Sequence, residues 1–300
     1  MPARILDGKS IAQEIRREVR LEVAALAART GAVPCLAAIL VGNDPASATY
    51  VRNKARACEE VGIVSVRVEL PADLSQDSLL EGIGRLNHDP SVHAILVQLP
   101  LPPHISEKRV LEAVLPNKDV DGFHPSNLGG LLIGSPQFVA STPLGILELL
   151  NRTKVEIEGK HAVIVGWSVV VGKPTAFLLL QHQATVTICH IKTHDLAFHT
   201  RQADILVVAA GKPGLVTGSM VKDGAVVIDV GVNRLTDGRV VGDVNFLEVA
   251  ERASLITPVP GGVGPMTVAM LLKNTVDAYR HACGVPNPPG VGSFRQVEGR

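Results

Sequence analysis

The sequence predicts an α/β fold with two domains, and three observations support this fold class. Apolar runs of strand length alternate with segments of helical periodicity along most of the chain. Taken together, the strand-like runs are continuous rather than alternating, which predicts a parallel sheet covered on both faces. The chain has 300 residues, 46% hydrophobic and 19% charged, enough to fill two cores at about 150 residues per domain.

The first half of the chain is expected to form alternating helices and strands. A helix is predicted to begin at Ser10, where S-I-A-Q has the spacing of a capping box. From Pro100 to Pro143 the pattern becomes rich in Pro and Gly, which predicts a functional loop or a domain junction. The apolar face of the first helix consists of Ile11, Ile15, Val19, Val23 and Leu26. Between the first helix and Pro100 the predicted elements are the strand Cys35–Val41, a helix from about Ala46 to Val61, the strand Val64–Leu70, the helix Gln76–Asn87 and the strand His93–Val97.

A second α/β series follows. It is predicted to begin with a helix from Pro143 to about Asn151, because proline suits the first helical turn. A last helix is expected from about Thr267 to His281, and residues 284–300, rich in Pro and Gly, are expected to be a surface extension. The strands of this series are His161–Val165, Thr185–Cys189, Ile205–Ala209 and Ala225–Val230.

Charge and composition argue against several classes of partner. Lys and Arg number 29, as do Asp and Glu, so no overall field would draw the chain to nucleic acid or to an anionic membrane. No apolar run reaches the roughly 18 residues of a membrane span, and no signal-peptide pattern is present. The four cysteines form no C-x-x-C pair, which favours a reducing compartment. We therefore expect a cytoplasmic protein.

A glycine-lined turn, G-W-S-V-V-V-G from Gly166 to Gly172, follows a strand and precedes a helix. Such a turn presents backbone N–H groups and the helix dipole to a phosphate. Because the spacing is not G-x-G-x-x-G, a tight turn without a ligand remains an alternative. The D-V-G at Asp229–Gly231, at the end of a later strand, favours a nucleotide site.

Ser47, Tyr50 and Lys54 are spaced three and four residues apart, so they share one stripe of a helix. A lysine at such a boundary can act as an acid or base if burial lowers its pKa. The alternative is a Tyr–Lys pair at a helix edge with no chemical role.

Polar residues also follow the strand before the irregular segment. Gln98 stands at the carboxyl end of that strand, where open α/β sheets bind ligands. In K-D-V-D-G, Asp119 and Asp121 could cap local backbone or could accept hydrogen bonds from an amino-pyrimidine ring.

The segment T-P-V-P-G-G-V-G-P-M-T, from Thr257 to Thr267, predicts a rigid turn that approaches a flat ligand closely. His190, His194 and His199 follow Cys189, but no second ligand cluster accompanies them, so no metal site is expected.

Together these motifs resemble the bifunctional methylenetetrahydrofolate dehydrogenase/methenyltetrahydrofolate cyclohydrolase family. The resemblance runs from about Ile5 to Tyr279. It rests on S-A-T-Y-V-R-N-K, V-Q-L-P-L-P, K-D-V-D-G-F-H-P, S-T-P-L-G, G-W-S-V-V-V-G-K-P, G-D-V-N-F and P-G-G-V-G-P-M-T. It implies two α/β domains flanking a cleft, the second a Rossmann-like parallel sheet, and a homodimer. The implied boundaries are 1–141 for a folate domain, with the helix 267–281 packing back onto it, 142–266 for a dinucleotide-binding domain, and 284–300 for a tail.

The resemblance also implies a reaction and a role for each site residue. 5,10-Methylenetetrahydrofolate would be oxidised by a nicotinamide cofactor, and the methenyl product hydrolysed to 10-formyltetrahydrofolate. Lys54 would be the general acid/base, Gln98 would hold it, and Asp121 would bind the pterin. Tyr50 would line the folate site, with Ser47 in support. Gly261, Gly262 and Pro265 would close the cleft near pterin and nicotinamide, and the cofactor would contact Gly166, Trp167, Ser168, Gly172, Ile191 and Val232.

Three positions depart from the family pattern. Trp167 and Ile191 stand where the family usually has the arginine and serine that grip the 2′-phosphate of NADP, and Ser141 replaces a common cysteine. NADP remains the nominal cofactor, but we expect relaxed selectivity, with NAD possible, unless Lys192 or the His190/His194 pair reaches the phosphate. The alternatives are a protein that is only a cyclohydrolase and a non-catalytic folate-binding homologue.

Overall fold

The computed structural model describes residues 2–286, which divide into two compact units. One unit combines the start of the chain, up to Gln13, with Thr142–Thr267, and the other combines Glu14–Ser141 with residues 268–286 of the described chain. The fold class is α/β, as the sequence predicts. Residues 287–300 of the expected tail lie outside the described residues.

The helices include several that begin or end a few residues from their predicted bounds. No described helix combines the length and the apolar character needed to cross a membrane. The helices are α1 (Gly8–Thr30), α2 (Pro45–Val61), α3 (Gln76–His88), α4 (Glu107–Ala113), α5 (Pro125–Ile133), α6 (Ser141–Arg152), α7 (Gly172–Gln181), α8 (Leu196–Thr200), α9 (Phe246–Ala250) and α10 (Val263–Ala282), with a short 3-10 helix at Gly218–Met220.

All seven predicted strands are present, four of them with the predicted bounds, and the described part of the chain adds four two-residue strands that were not predicted. The strands are β1 (Arg4–Ile5), β2 (Cys35–Val41), β3 (Val64–Leu70), β4 (Ala94–Val97), β5 (His161–Val165), β6 (Thr185–Cys189), β7 (Ile205–Val208), β8 (Val226–Asp229), β9 (Asn233–Arg234), β10 (Val240–Val241) and β11 (Leu255–Ile256).

The unit that contains Glu14–Ser141 is built on a parallel sheet of order β3-β2-β4. Every residue of the central strand β2 is buried, but β3 lies at the edge and none of its residues is fully buried. The expectation of a sheet covered on both faces is therefore wrong for β3. Its sequence V-S-V-R-V-E-L alternates apolar and polar residues, which is the pattern of a half-exposed strand.

Helix α1 begins at Gly8, two residues before the predicted Ser10. The Asp7 carboxylate accepts hydrogen bonds from the backbone N–H groups of Lys9 and Ser10, each at 3.1 Å, so Asp7 provides the cap. Four residues of the predicted apolar face are buried, namely Ile15, Val19, Val23 and Leu26.

The last helix is tied to this unit by polar contacts. Arg280 of α10 donates from its Nε to Glu22 of α1 at 2.6 Å, and the Tyr279 hydroxyl donates to the Ala32 carbonyl at 2.9 Å. The Arg280–Glu22 contact is charge-assisted, so it contributes more to stability than the neutral Tyr279–Ala32 hydrogen bond.

The other unit is built on a six-stranded parallel sheet of order β1-β11-β8-β7-β5-β6. Arg4 and Ile5 pair with Leu255 and Ile256, so the start of the chain belongs to this sheet and not to a domain 1–141. A two-residue strand gives no periodicity, which explains why the sequence does not predict it. Strand β5 has β6 on one side and β7 on the other, and this reversal of strand order creates a crevice at the carboxyl ends of β5 and β7.

Candidate active site

Lys54 and Gln98 form the polar centre of the first site. The Nζ of Lys54, on α2, donates a hydrogen bond to the side-chain oxygen of Gln98 at 3.2 Å. The Gln98 side-chain nitrogen donates to the Leu99 carbonyl at 2.7 Å, which orients the amide with its oxygen toward the lysine. Gln98 directly follows β4, and its backbone N–H is bound to the Ile39 carbonyl of β2. The sheet therefore fixes the group that holds the Lys54 side-chain nitrogen.

Asp121 lies within electrostatic reach of this pair. Burial raises the pKa of the Asp121 carboxyl above its ordinary value, the charge of Lys54 opposes that rise, and Asp119 adds to it. Among the described residues no protein group donates a hydrogen bond to the Asp121 carboxylate, and Asp121 is partly exposed. The predicted catalytic residues are Lys54, Tyr50, Gln98 and Asp121. The structure brings three of them, Lys54, Gln98 and Asp121, into electrostatic or hydrogen-bond contact.

The turn that carries Asp121 is held by buried polar residues. Asp119 accepts hydrogen bonds from the His124 backbone N–H at 2.7 Å and from the Asn127 side chain at 2.9 Å, so Asp119 has the structural role considered for both aspartates. Asn274, buried in α10, donates to the carbonyls of Val120 at 2.7 Å and Val139 at 3.0 Å. The sequence analysis did not identify Asn274, because no local pattern indicates a contact between residues more than a hundred positions apart.

Ser47 and Tyr50 share the helix α2 with Lys54 but differ in environment. Ser47 is buried, and its backbone N–H donates to the Asp44 carboxylate at 2.7 Å. Tyr50 is 53% exposed one turn before Lys54, which leaves its ring available to a flat ligand. The capping residue Asp44 was not predicted, although D-P-A-S, with proline in the first turn, is a typical helix start.

The glycine-lined turn forms a tight cradle at the carboxyl end of β5. Gly166 has a φ of 130°, and a Cβ there would lie 2.2 Å from the Ala209 carbonyl oxygen. A Cβ on Gly172 would lie 2.1 Å from the Gly166 carbonyl oxygen. The Ser168 hydroxyl accepts from the Val171 and Gly172 N–H groups at 3.1 and 3.4 Å, at the start of α7. Only glycine fits at both positions, so the backbone itself forms the surface of this crevice.

Trp167, Ile191 and Val232 all point to solvent, with exposed fractions of 57%, 92% and 60%. The Trp167 ring contacts His190 edge-on at 5.7 Å between ring centroids, and the Lys173 ammonium lies 5.1 Å from the Trp167 ring centroid. No positive charge is contributed by the three side chains themselves. Positive charge near this turn comes from their neighbours.

The segment Thr257–Thr267 is only partly a loop. Helix α10 begins at Val263, so Pro265 lies in the first helical turn, where its missing N–H costs no helical hydrogen bond. Gly261 has a φ of 112°, and a Cβ on Gly262 would lie 2.7 Å from the Pro258 carbonyl oxygen. The predicted close turn is therefore confined to the residues before Val263.

No three His, Cys, Asp or Glu side chains of residues 2–286 are gathered closely enough to hold a metal ion.

Comparison with known proteins relates both units to one family. Residues 6–121 match the model of the tetrahydrofolate dehydrogenase/cyclohydrolase catalytic domain, and residues 140–283 match the model of the NAD(P)-binding domain of the same family. The chain belongs to the tetrahydrofolate dehydrogenase/cyclohydrolase family.

Individual relatives of this family are similar over nearly the whole chain. The bifunctional protein FolD of Moorella thermoacetica is 60% identical over 280 residues, which cover 93% of this chain and 100% of the relative. The crystal structure of the bifunctional enzyme FolD from Campylobacter jejuni has a TM-score of 0.92 and 52% identity, covering 93% of this chain and 99% of that one. FolD of Trypanosoma brucei, solved with NADP cofactor and inhibitor, has a TM-score of 0.91 and 44% identity, covering 94% and 99%.

The family match divides the site residues into two groups. Lys54, Gln98 and Asp121 fall within the catalytic-domain match. Gly166, Trp167 and the other residues expected to contact cofactor fall within the NAD(P)-binding match.

Proposed function

We propose that this member of the family oxidises 5,10-methylenetetrahydrofolate to the methenyl form with a nicotinamide cofactor and then hydrolyses that product to 10-formyltetrahydrofolate. The observation that carries the proposal is the Lys54–Gln98 hydrogen bond with Asp121 in electrostatic reach, inside the catalytic-domain match. An amine, an amide that orients it and an open carboxylate are the groups that this chemistry needs.

In the hydrolytic step, water adds to the methenyl carbon and the bond from that carbon to N5 breaks. Lys54 accepts a proton from the attacking water and donates one to N5, while Gln98 fixes the position of the lysine nitrogen. The Asp121 carboxylate accepts two N–H groups from the amino-pyrimidine edge of the pterin. Tyr50 lines the folate ring system, and Ser47 supports the helix turn from which Tyr50 and Lys54 project.

The cradle at Gly166 and Gly172 fits a dinucleotide, because it brings backbone without side chains to the start of α7 at a reversal of strand order. When bound, the nicotinamide supplies an acceptor for the hydride that leaves the methylene carbon. In this proposal Ser168 and Val232, which follow the ends of β5 and β8, also contact the cofactor.

We assign NADP as the nominal cofactor with weak selectivity over NAD. A 2′-phosphate needs a cationic or hydrogen-bonding partner, and the exposed Trp167 and Ile191 supply neither a charge nor a fork of donors. Lys173, beside the Trp167 ring, and the exposed Lys192 are the cations nearest in sequence to those two positions.

A protein with only the cyclohydrolase activity is the second candidate. The observation that favours it is that the departures from the family pattern lie at the cofactor turn, whereas the Lys54 site is complete. A non-catalytic folate-binding protein has less support, because it would have no use for a lysine held by Gln98.

We further propose a cytoplasmic homodimer. The edge strand β3 presents unpaired backbone groups and the partly exposed Val64 and Val66, a surface suited to a second copy. The free and buried Cys35, Cys58 and Cys189 suit a reducing compartment. Light scattering should give twice the mass of the chain, and a monomer at micromolar concentration would exclude this assembly.

Two assays on the purified protein test the proposed function. The first follows reduced cofactor formed from 5,10-methylenetetrahydrofolate with NADP or NAD, and the second follows hydrolysis of 5,10-methenyltetrahydrofolate without cofactor. Both activities are expected. Hydrolysis alone would support the second candidate, and neither activity, with folate still bound, would support the non-catalytic one.

A further inference from the structure

Two buried aspartates, Asp229 and Asp243, lie at the carboxyl edge of the six-stranded sheet, outside the glycine-lined turn. Asp229 accepts hydrogen bonds from the backbone N–H groups of Gly231 at 3.0 Å, Asp243 at 2.9 Å and Val244 at 3.0 Å. Its own N–H is bound to the Thr257 hydroxyl at 2.7 Å. Asp229 therefore joins the end of β8 to the segment that follows β10.

Asp243 extends this connection to the neighbouring strand. One carboxylate oxygen accepts from the backbone N–H groups of Ala210 at 2.6 Å and Gly211 at 2.8 Å, just beyond β7. The other oxygen accepts from the Asn233 side chain at 2.8 Å. A single fully buried carboxylate thus fixes the loop after β7 and the start of β9.

Two glycines make the arrangement specific. A Cβ on Gly242 would lie 1.8 Å from an Asp229 carboxylate oxygen, and a Cβ on Gly231 would lie 2.3 Å from the Asp243 carboxyl carbon. Asp229 therefore packs directly against the backbone of Gly242, next to Asp243. Asp243 packs against the backbone of Gly231, two residues after Asp229. These close contacts leave no space for either carboxylate to take another position.

The loop that Asp243 holds forms one wall of the crevice at the strand reversal. The Ala209 carbonyl, next to the two N–H groups bound by Asp243, lies against Gly166 of the glycine-lined turn. In a dinucleotide fold the two mononucleotide halves bind on opposite sides of this reversal. The β5–β6 side carries the positions expected to meet the 2′-phosphate, so the β7–β8 side receives the nicotinamide half.

We propose that Asp243 is a positioning residue for the nicotinamide half of the cofactor, acting through the Ala210–Gly211 loop and Asn233. The inference rests on the proposed function for the identity of the ligand. Burial raises the pKa of Asp229 to about 6, and the charge of Asp243 contributes to that rise. Burial of two neighbouring carboxylates costs stability, and the three hydrogen bonds that each of them accepts offset part of that cost.

Calorimetric titration with whole and half cofactors tests the proposal, because it reads binding without activity. In Asp243→Ala, the Kd for NADP or NAD should rise about tenfold, because the Ala210–Gly211 loop loses its charged hydrogen-bond acceptor. The Kd for the adenosine halves, 2′,5′-ADP and AMP, should stay within about twofold, since the Gly166–Gly172 turn keeps its own hydrogen bonds to Cys189 and Ser168. Trp167, the only tryptophan, gives a fluorescence signal for the same titrations.

Three further variants keep the test decisive. Asp243→Asn retains an acceptor for Ala210 and Gly211 and should recover part of the affinity, and Asn233→Ala should give a smaller loss. Asp237 is an exposed residue of the same unit whose carboxylate binds Arg239. The control variant Asp237→Ala should leave the Kd for every ligand unchanged. If Asp243→Ala does not fold, Asp243→Asn and Asn233→Ala carry the comparison.

Hydrolysis of methenyltetrahydrofolate serves as the internal control, because it depends on Lys54 in the other unit and should remain within about twofold in all variants. Equal weakening of whole and half cofactors, unchanged affinity for the whole cofactor, or a parallel loss of hydrolysis would each overturn the proposal. Failure of the wild type to bind any dinucleotide would instead refute the dehydrogenase part of the proposed function.

Discussion

Lys54 and Gln98 lie 44 positions apart in the chain, and a hydrogen bond of 3.2 Å joins the Lys54 Nζ to the Gln98 side-chain oxygen. The lysine comes from a helix and the glutamine from the end of a buried parallel strand. This contact joins a long lysine side chain to the end of a buried strand. In the proposed mechanism, this contact sets where Lys54 can transfer protons to a bound folate.

Asp121→Asn should weaken folate binding by about tenfold or more and leave cofactor binding unchanged. The substitution keeps the shape but puts a donor where the pterin also presents donors. The matched variant Asp119→Asn should instead lower the melting temperature, because Asp119 accepts two internal hydrogen bonds. Titration with a folate would contradict this role of Asp121 if the affinity were unaltered.

The double variant Trp167→Arg/Ile191→Ser should gain preference for NADP over NAD. An arginine at this position can form charge-assisted hydrogen bonds to the 2′-phosphate, each contributing about 1.5–3 kcal/mol, so the ratio of kcat/KM for the two cofactors should rise tenfold or more. A wild type that is already strongly selective for NADP, or a double variant with no gain, would mean that another group holds the phosphate.

Ser141→Cys should stabilise the protein by about 1 kcal/mol. The Ser141 hydroxyl is buried and has no hydrogen-bond partner among the described residues, and such a group costs about 1–3 kcal/mol. A thiol of similar size behaves as a small apolar group. Thermal unfolding of the wild type and of Ser141→Cys measures the difference, and a lower melting temperature in the variant would show that the hydroxyl is satisfied.

Asp277→Asn should stabilise the protein most at neutral pH. Burial, assisted by the charge of Glu22, raises the pKa of Asp277 to about 6, against the opposing charges of Lys273 and Arg280. The native state therefore favours the protonated form, and the stability associated with that form is lost as the pH rises through 6. At pH 8 the ionised carboxylate costs about 2–3 kcal/mol, a cost that the neutral amide avoids.

Melting temperatures measured over a range of pH provide the control for the Asp277 prediction. As the pH falls from 8 to about 4, the wild-type carboxyl becomes neutral, and the difference in melting temperature between Asp277→Asn and wild type should disappear. A difference that is constant with pH would assign the effect to packing rather than to ionisation.

The buried strands and the helix faces could be predicted because each follows from a local pattern. Strands such as Cys35–Val41 are bounded by turns, and the stripe of Ser47, Tyr50 and Lys54 follows from helical spacing. The caps at Asp7 and Asp44 were missed, since short polar residues stand in turns as often as at helix starts. The strand Arg4–Ile5 was missed because its partner lies about 250 residues away.

The polar supports of the site could not be predicted for a related reason. Asn274 binds the carbonyl of Val120, and Asp243 binds the loop after β7, and both contacts join segments far apart in sequence. A resemblance between motifs identifies residues that face ligands. It assigned no role to Asp243, although Asp243 stands within the G-D-V-N-F motif, and it did not single out Asn274.

The variant Lys54→Met tests the central claim, that one lysine performs the proton transfers on folate. The change keeps the aliphatic stem and removes the titrating amine, so methenyltetrahydrofolate hydrolysis should fall by about 10²- to 10⁴-fold, with the melting temperature and folate affinity nearly unchanged. Arg56→Met, which removes an exposed charge from the same helix, should retain full hydrolysis. Hydrolysis by Lys54→Met within a few-fold of wild type would contradict the account.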